Sequence, residues 1–210
     1  MQPLDRARHP EATALLVRAF DEDPFFRYLA PEPAAREAML EAVMRSNVAI
    51  AHAAGRAQGI VEGSDVRAVC LGFPPGTYPP PPWRTLGARA VSVLNALRRP
   101  GGARLLGSVL GRALRMDALM ADAHPRDPFH YLLVLAVDPR WQGHGHGGAA
   151  MRAVIGEADR RGCPAILETS KPANVGFYRR FGFEIVRATR VDGSPPVWTM
   201  RRAPASTGHP

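Results

Sequence analysis

At 210 residues, with 46% hydrophobic and 22% charged residues, the chain suits one globular domain, or one with a sizeable insertion, and falls outside disordered and collagen-like compositions. No apolar run approaches the ~20 residues that span a bilayer, and Met1-Gln2-Pro3-Leu4-Asp5 has no basic and then apolar leader. The formal net charge of +8 invites a nucleic-acid partner, but Lys171 is the only lysine and the arginines are scattered instead of forming one run, which fits attraction of an anionic small molecule better than a polyanion.

In chain order, residues 10–21 predict a helix with Leu15, Leu16, Ala19 and Phe20 inward. The aromatic stretch Phe25, Phe26, Tyr28 that follows reads as a loop or broken helix, suited to plug the core or to wall a substrate pocket. A second helix is expected from about Ala34 to Ile50, carrying Met39, Leu40, Val43 and Met44 on one side. Two strands, Ala57 to Glu62 and Val66 to Phe73, join through Gly63-Ser64-Asp65. The proline-rich run from Pro74 to Pro82, with Tyr78 inside it, reads as a stiff connector. Helical spacing recurs over about residues 84–97 and 103–120, broken at Pro100-Gly101-Gly102, and core packing explains that stripe. Cys70 and Cys163 stand alone with no metal spacing, which fits a reducing cytosol, so a cytoplasmic protein without a metal is expected.

The strand Leu132 to Val137 ends at Asp138-Pro139. Gly143 to Gly148 then open a helix expected from Ala149 to about Arg161, closing at Gly162 and Pro164. A glycine turn at a helix N-terminus offers unpaired N–H groups, a favourable dipole and close backbone approach, so it predicts a phosphorylated ligand. The strand Ala165 to Ser170, a short helix around Asn174 to Tyr178, and strands Glu184 to Val191 and Pro196 to Met200 complete the chain before a frayed tail from Ala203.

Two families of ligand fit the turn. Gly143-x-Gly145-x-x-Gly148 matches the dinucleotide fingerprint, with Glu168 placed as a ribose-binding acid. Against it, Asp138 to Gln142 intervene between strand and first glycine, and only about sixty residues remain after the turn, too few for the usual second half. A nucleoside-triphosphate loop is excluded because no Gly-Lys-Ser or Gly-Lys-Thr follows. The other fit is closer. Val137-Asp-Pro-x-x-Gln142-Gly143-x-Gly145-x-Gly147 resembles the coenzyme A pyrophosphate loop of the GNAT superfamily of N-acetyltransferases, and Leu167-Glu168-Thr-Ser-x-Pro172-x-Asn174-x-x-Phe177-Tyr178-x-x-Phe181-Gly182-Phe183 resembles its later strand, helix and strand. Leu167 to Ser170, the Phe177-Tyr178 pair, the late Val197 to Met200 and the earlier Pro74-Pro75-Gly76 look like the puromycin N-acetyltransferase-like branch. His144 stands where the family usually has Lys or Arg, His146 where it has an aliphatic residue, and Gly148 where it has Ser or Ala. As a metal pair His144 and His146 lack a third ligand, so they read as solvent-facing turn residues.

The resemblance implies one α/β (α+β) domain over residues 1–210, closest to the family over 128–200. It would have a mixed central sheet with a splayed pair of strands, helices on both faces, and an extra helical pair at about 84–120. It implies acetyl-CoA as acyl donor and a small-molecule primary amine as acceptor, with no nucleic acid, membrane or metal, in a monomer or homodimer. The main chain of Leu135, Ala136 and Val137 would meet the thioester or pantetheine. The amides of Gln142, Gly143, His144, Gly145, His146, Gly147 and Gly148 would hold the pyrophosphate, with Asn174 and Phe177 beside the arm. Tyr178 would act as general acid toward the sulfur; core packing is its other reading. Glu168, a charge within an apolar strand, would take the amine's proton or pair with an arginine. Phe25, Phe26, Tyr28 and Tyr78 would suit a hydrophobic, antibiotic-like amine. His130, at the head of the splayed strand, would be a second base, an acceptor contact or merely structural. A catalytically idle acyl-CoA-binding module would carry the same turn.

Overall fold

The computed structural model describes residues 1–81, 107, 111, 124–125, 127–190 and 193–205. The helical pair expected at about 84–120 falls, two isolated glycines apart, outside the described residues. Seven strands form one sheet: β1 (Gln2–Pro3), β2 (Ala57–Glu62), β3 (Asp65–Phe73), β4 (His130–Val137), β5 (Ala165–Thr169), β6 (Glu184–Thr189) and β7 (Val197–Arg202). They lie in the order β1-β2-β3-β4-β5-β7-β6. Only the β4–β5 pair is parallel, and a helix carries the chain across between those two strands. Among the described residues five helices flank the sheet: α1 (His9–Phe20), α2 (Pro24–Leu29), α3 (Pro33–Ala53), α4 (His146–Arg160) and α5 (Pro172–Arg179). No described helix is long and apolar enough to cross a membrane.

Each face of the sheet has its own core. On one, Leu15 and Leu16 of α1 and Leu40, Met44 and Val48 of α3 pack on Val69, Leu71, Val134 and Ala136. On the other, Met151, Val154 and Ala158 of α4 and Val175 and Tyr178 of α5 pack on Cys70, Leu132, Ala165, Leu167 and Met200. Burying a Leu or Met side chain in either layer stabilises the fold by about 1.5–3 kcal/mol.

β4 does not keep a constant alternation. Tyr131 shares the side of Phe73 and Ile166, and Leu132 faces α4, yet Val134 and Ala136 return to the α1–α3 side. The phase slips because Leu133 is an extra residue: Gly72 pairs with Leu132, and Leu71 with Val134. This bulge bends the strand. Gly72 makes the bend possible, since a Cβ there would lie 2.6 Å from the Tyr131 carbonyl oxygen.

Candidate active site

β4 and β5 run side by side only through His130–Ala165, Tyr131–Ile166 and Leu132–Leu167. Beyond Leu132 and Leu167 no ladder joins them, which leaves a gap toward the C-terminal ends of both strands. On the far side β4 stays paired with β3, where Asp138 N donates to the Arg67 carbonyl at 2.9 Å. The alternation of an antiparallel ladder then commits the N–H groups of Val134 and Ala136 to β3. The main chain of Leu135 and Val137 faces the gap. Ala136 was expected to offer its amide there; its N–H is turned away.

Where β4 ends, Asp138 caps a single 3-10 turn through Arg140 N at 3.0 Å. The buried Asp138 carboxylate also accepts from Arg140 at two points, 3.0 Å each, and from Arg18 at 2.6 Å. Those guanidiniums hold it well below the usual carboxylate range. The exit of β4 is thereby fixed to α1. Arg67 covers the Trp141 ring at 3.8 Å, and Gln142 Nε2 reaches back to the Val137 carbonyl at 3.4 Å. Gly143 and Gly145 then take φ of +81° and +80°, a left-handed geometry that costs an L-residue about 1–2 kcal/mol.

The helix begins at His146, three residues before the position expected from its apolar spacing. Gly147 and Gly148 therefore lie in its first turn. Ala149 N is the first to bond back along the helix, to the Gly145 carbonyl at 3.0 Å, and the N-cap, Gly145, makes no side-chain cap. Four N–H groups, from Gly145 to Gly148, are left without an intrahelical acceptor. With no acidic residue in the first turn, the positive end of the helix is uncompensated. A Cβ on Gly147 would lie 3.5 Å from the Phe177 ring and 3.6 Å from Val137, so this turn, the end of β4 and α5 converge. His144 is exposed, with Nδ1 2.9 Å from the Gln142 carbonyl. His146 is not a solvent-facing turn residue: it is half-buried, and its Nε2 is buried without a hydrogen-bond partner.

α5 begins after Lys171, and Asn174 Nδ2 donates to Thr169 Oγ1 at 3.3 Å, tying the helix to the end of β5. Tyr178 is 7% exposed on its inner face. Burial, helped by the Asp23 carboxylate, pushes its phenol well above the ordinary value, which favours the protonated form.

Glu168 faces the other side of the sheet, among Tyr78, Tyr131 and His124. Tyr131 OH donates to one carboxylate oxygen at 2.5 Å, and His124 Nε2 lies 2.6 Å from the other. The Tyr78 and Tyr131 rings sit 4.1 Å apart, with His124 5.4 Å from Tyr78 and Phe73 5.3 Å from it. The expected arginine partner is absent among the described residues, and His124 escaped notice in the sequence. Both oxygens of Glu168 are occupied, which ties β5 to Tyr131 of β4 and to His124. Replacing Glu168 by Ala strips a charged acceptor from two buried donors and is expected to cost about 2–3 kcal/mol. Urea midpoints would show it, with Glu168→Gln falling between variant and wild type.

His130 is not part of this group. The odd-even alternation before the bulge turns it toward α4, where Nε2 lies 3.9 Å from Glu157. It lines a cavity of about 20 Å³ with Arg56, Gln58, Cys70 and Glu157, and neither ring nitrogen has a hydrogen-bond partner. It sits at the paired end of β4 and β5, away from the gap. Burial, then Arg56 and Arg161, hold its imidazole at about 4 instead of 6.5. The unfolded chain thus takes up this proton first. The stability owed to the neutral ring is complete above pH 6.5 and is lost as pH falls toward 4, about 3 kcal/mol in total. Denaturation at pH 7 and pH 4.5 should show a smaller acid loss in His130→Gln than in wild type; equal losses would refute it.

The aromatic stretch is a helix, α2, and not a loop. Asp23 caps it through Phe25 N at 2.9 Å, and the buried Arg36 grips its far end through the Ala30 and Pro31 carbonyls at 3.3 and 3.0 Å. Phe25 and Phe26 are half-buried against Leu29 and Met39. Tyr28 is half-buried beside the β6–β7 turn, where a Cβ on Gly193 would lie 4.0 Å from its ring. Sequence reasoning also missed the contact that joins α2 to the gap: Ser170 Oγ donates to Asp23 at 2.9 Å, and both residues are buried.

The sequence model of the acetyltransferase (GNAT) family matches residues 77–183, just over half of the chain. Among solved structures, the chain is similar to a histone acetyltransferase HPA2 and related acetyltransferase from Corynebacterium glutamicum, with 22% identity over 99% of this chain and 97% of that one and a TM-score of 0.69. It is similar to the ribosomal-protein-S18-alanine N-acetyltransferase of Escherichia coli, at 17% identity, 99% and 95% coverage and a TM-score of 0.54. A polyamine N-acetyltransferase of Drosophila melanogaster gives 17% identity, 96% and 98% coverage and a TM-score of 0.54. At these identities the structural likeness speaks for the fold.

Proposed function

Because the chain belongs to the acetyltransferase (GNAT) family, we propose that it carries an acetyl group from acetyl-CoA to the primary amine of a small molecule by direct transfer. The observation that carries this reading is the uncapped helix end of α4, set against the open gap between β4 and β5. Its four free N–H groups suit a diphosphate. An arm leading from there past Val137 and Phe177 would enter the gap, where the main chain of Leu135 and the N–H of Val137 point away from β3. When bound, the donor supplies an acyl thioester. In this reading Gln142 to Gly148 hold the diphosphate, Asn174 and Phe177 border the arm, and Tyr178 offers its proton to the departing sulfur.

Direct transfer is favoured over an acyl-cysteine because burial pushes the Cys70 thiol up to about 12; Cys163 is likewise buried and raised, so neither is a ready nucleophile. The acceptor side would be walled by Phe25, Phe26 and Tyr28, with Tyr78 on the same side of the sheet. That wall suits a hydrophobic or aromatic amine, and the puromycin-type branch, with a resistance role, is the specific form we propose. The E. coli and Drosophila neighbours are described as acting on an alanine of a ribosomal protein and on polyamines, so amines of other shapes belong in the test. Free-thiol release from acetyl-CoA should be assayed across aromatic amines, polyamines and peptides. Turnover with an aromatic amine supports the proposal. Binding of acetyl-CoA without turnover, unchanged by Tyr178→Phe, would leave an idle acyl-CoA-binding module instead.

A further inference from the structure

Acetyl transfer needs a group that accepts the amine's proton, and Glu168 is poorly placed for it, since Tyr131 and His124 occupy both of its oxygens. A second buried carboxylate stands nearer the open end of the gap. Asp23, 9% exposed, accepts from Phe25 N and from Ser170 Oγ, each at 2.9 Å. Ser170 directly follows the last residue of β5, where that strand has left β4. Ser170 also stands two residues before α5, the helix that carries Tyr178, the group assigned to the sulfur.

Resting on the acetyl-transfer reading, we propose that Ser170 and Asp23 together take the proton from the acceptor amine. Ser170 Oγ accepts the N–H proton while its own hydroxyl proton passes to the Asp23 carboxylate. The nitrogen lone pair forms the bond to the thioester carbonyl carbon, the carbon–sulfur bond breaks, and the sulfur takes the proton of Tyr178. Asp23 then loses its proton to solvent, and Tyr178 regains one. Ser170 is the catalytic residue here, and Asp23 acts through it as a positioning residue and proton store. Burial raises the Asp23 carboxyl, and the Ser170 and backbone hydrogen bonds and Lys171 only partly offset this. Its charge bears on Tyr178, and on its own segment Asp21 is paired with Arg36 and Glu22 with Arg27. The relay works when Asp23 is ionised, so activity falls as pH drops through its raised value.

The test compares kcat and kcat/KM against pH for wild type, Asp23→Asn, Ser170→Ala and Glu168→Gln, using the amine that gives wild-type turnover. Asn caps α2 as well as Asp does but cannot store the proton. Asp23→Asn is expected to lower kcat about 100-fold and to erase the acidic limb of the profile, with the acetyl-CoA KM within about twofold. Its Tm should not fall, since a buried charge is removed. Ser170→Ala leaves the cap untouched, and it decides the matter if Asp23→Asn melts early. An acidic limb that survives in Asp23→Asn and Ser170→Ala, or vanishes only in Glu168→Gln, overturns the proposal. If wild type releases no thiol with any amine, the acetyl-transfer reading falls and this inference with it.

Discussion

Replacing Gly147 with Asp is expected to abolish acetyl-CoA binding while the protein folds as before. Gly147 stands in the first turn of α4, and a Cβ there meets only ordinary contacts, at 3.5 Å to Phe177 and 3.6 Å to Val137. The helix itself should gain. Glycine within a helix costs about 0.5–1 kcal/mol relative to alanine, and a carboxylate in the first turn adds about 0.3–1 kcal/mol. The same carboxylate would accept from the N–H groups that a diphosphate needs, and it would repel that diphosphate. Losing two charge-assisted hydrogen bonds at about 1.5–3 kcal/mol each predicts a Kd at least about 100-fold higher. Calorimetric titration gives the affinity, and a melt without ligand shows whether the fold survives. An unchanged Kd in a folded variant would remove the helix end from the site.

Tyr178→Phe is the second large effect. The hydroxyl is the polar tip of a ring otherwise packed among Cys70, Met151, Val154 and Phe183, so the ring's packing survives the change. Removing an oxygen from such a place is close to neutral for stability. If the phenol protonates the departing sulfur, its loss lowers kcat by about 10²–10³ and leaves the KM for acetyl-CoA where it was. A variant within about threefold of wild type would return Tyr178 to the core-packing role that its burial alone also explains.

Much of the architecture could be read from residue order. β2, β3 and β5 follow from β-branched runs between turn residues, and Gly162 and Pro164 close α4 as expected. Three features were hidden for physical reasons. The bulge at Leu133 lies in Leu132-Leu133-Val134-Leu135, where every residue is apolar and a phase slip leaves no trace in the pattern. That slip decides which side chains face the gap. α4 starts at His146 because backbone geometry at Gly145 sets the first turn; glycine's low helix propensity disguised Gly147 and Gly148 as loop. The Asp23–Ser170 contact joins residues far apart in sequence. Asp23-Pro24 did carry the signature of a cap followed by proline at the first helical position, and that signal could have predicted α2.

The site itself divides along the same line. The positions of Gln142 to Gly148, Asn174, Phe177 and Tyr178 on one turn and one short helix were legible because both elements are local. Glu168 was legible as a costly buried charge, but its partners come from β4 and from His124, which no local pattern connects to it.

The most direct test of the whole account is a thermal melt of the purified chain with and without acetyl-CoA. A ligand held by the free end of α4 stabilises the native state by about 2.7 kcal/mol at a concentration 100 times its Kd. The melting temperature should therefore rise by several degrees in acetyl-CoA, and the rise should vanish in Gly147→Asp. A melting temperature that ignores millimolar acetyl-CoA but climbs with a nicotinamide or flavin nucleotide would contradict it.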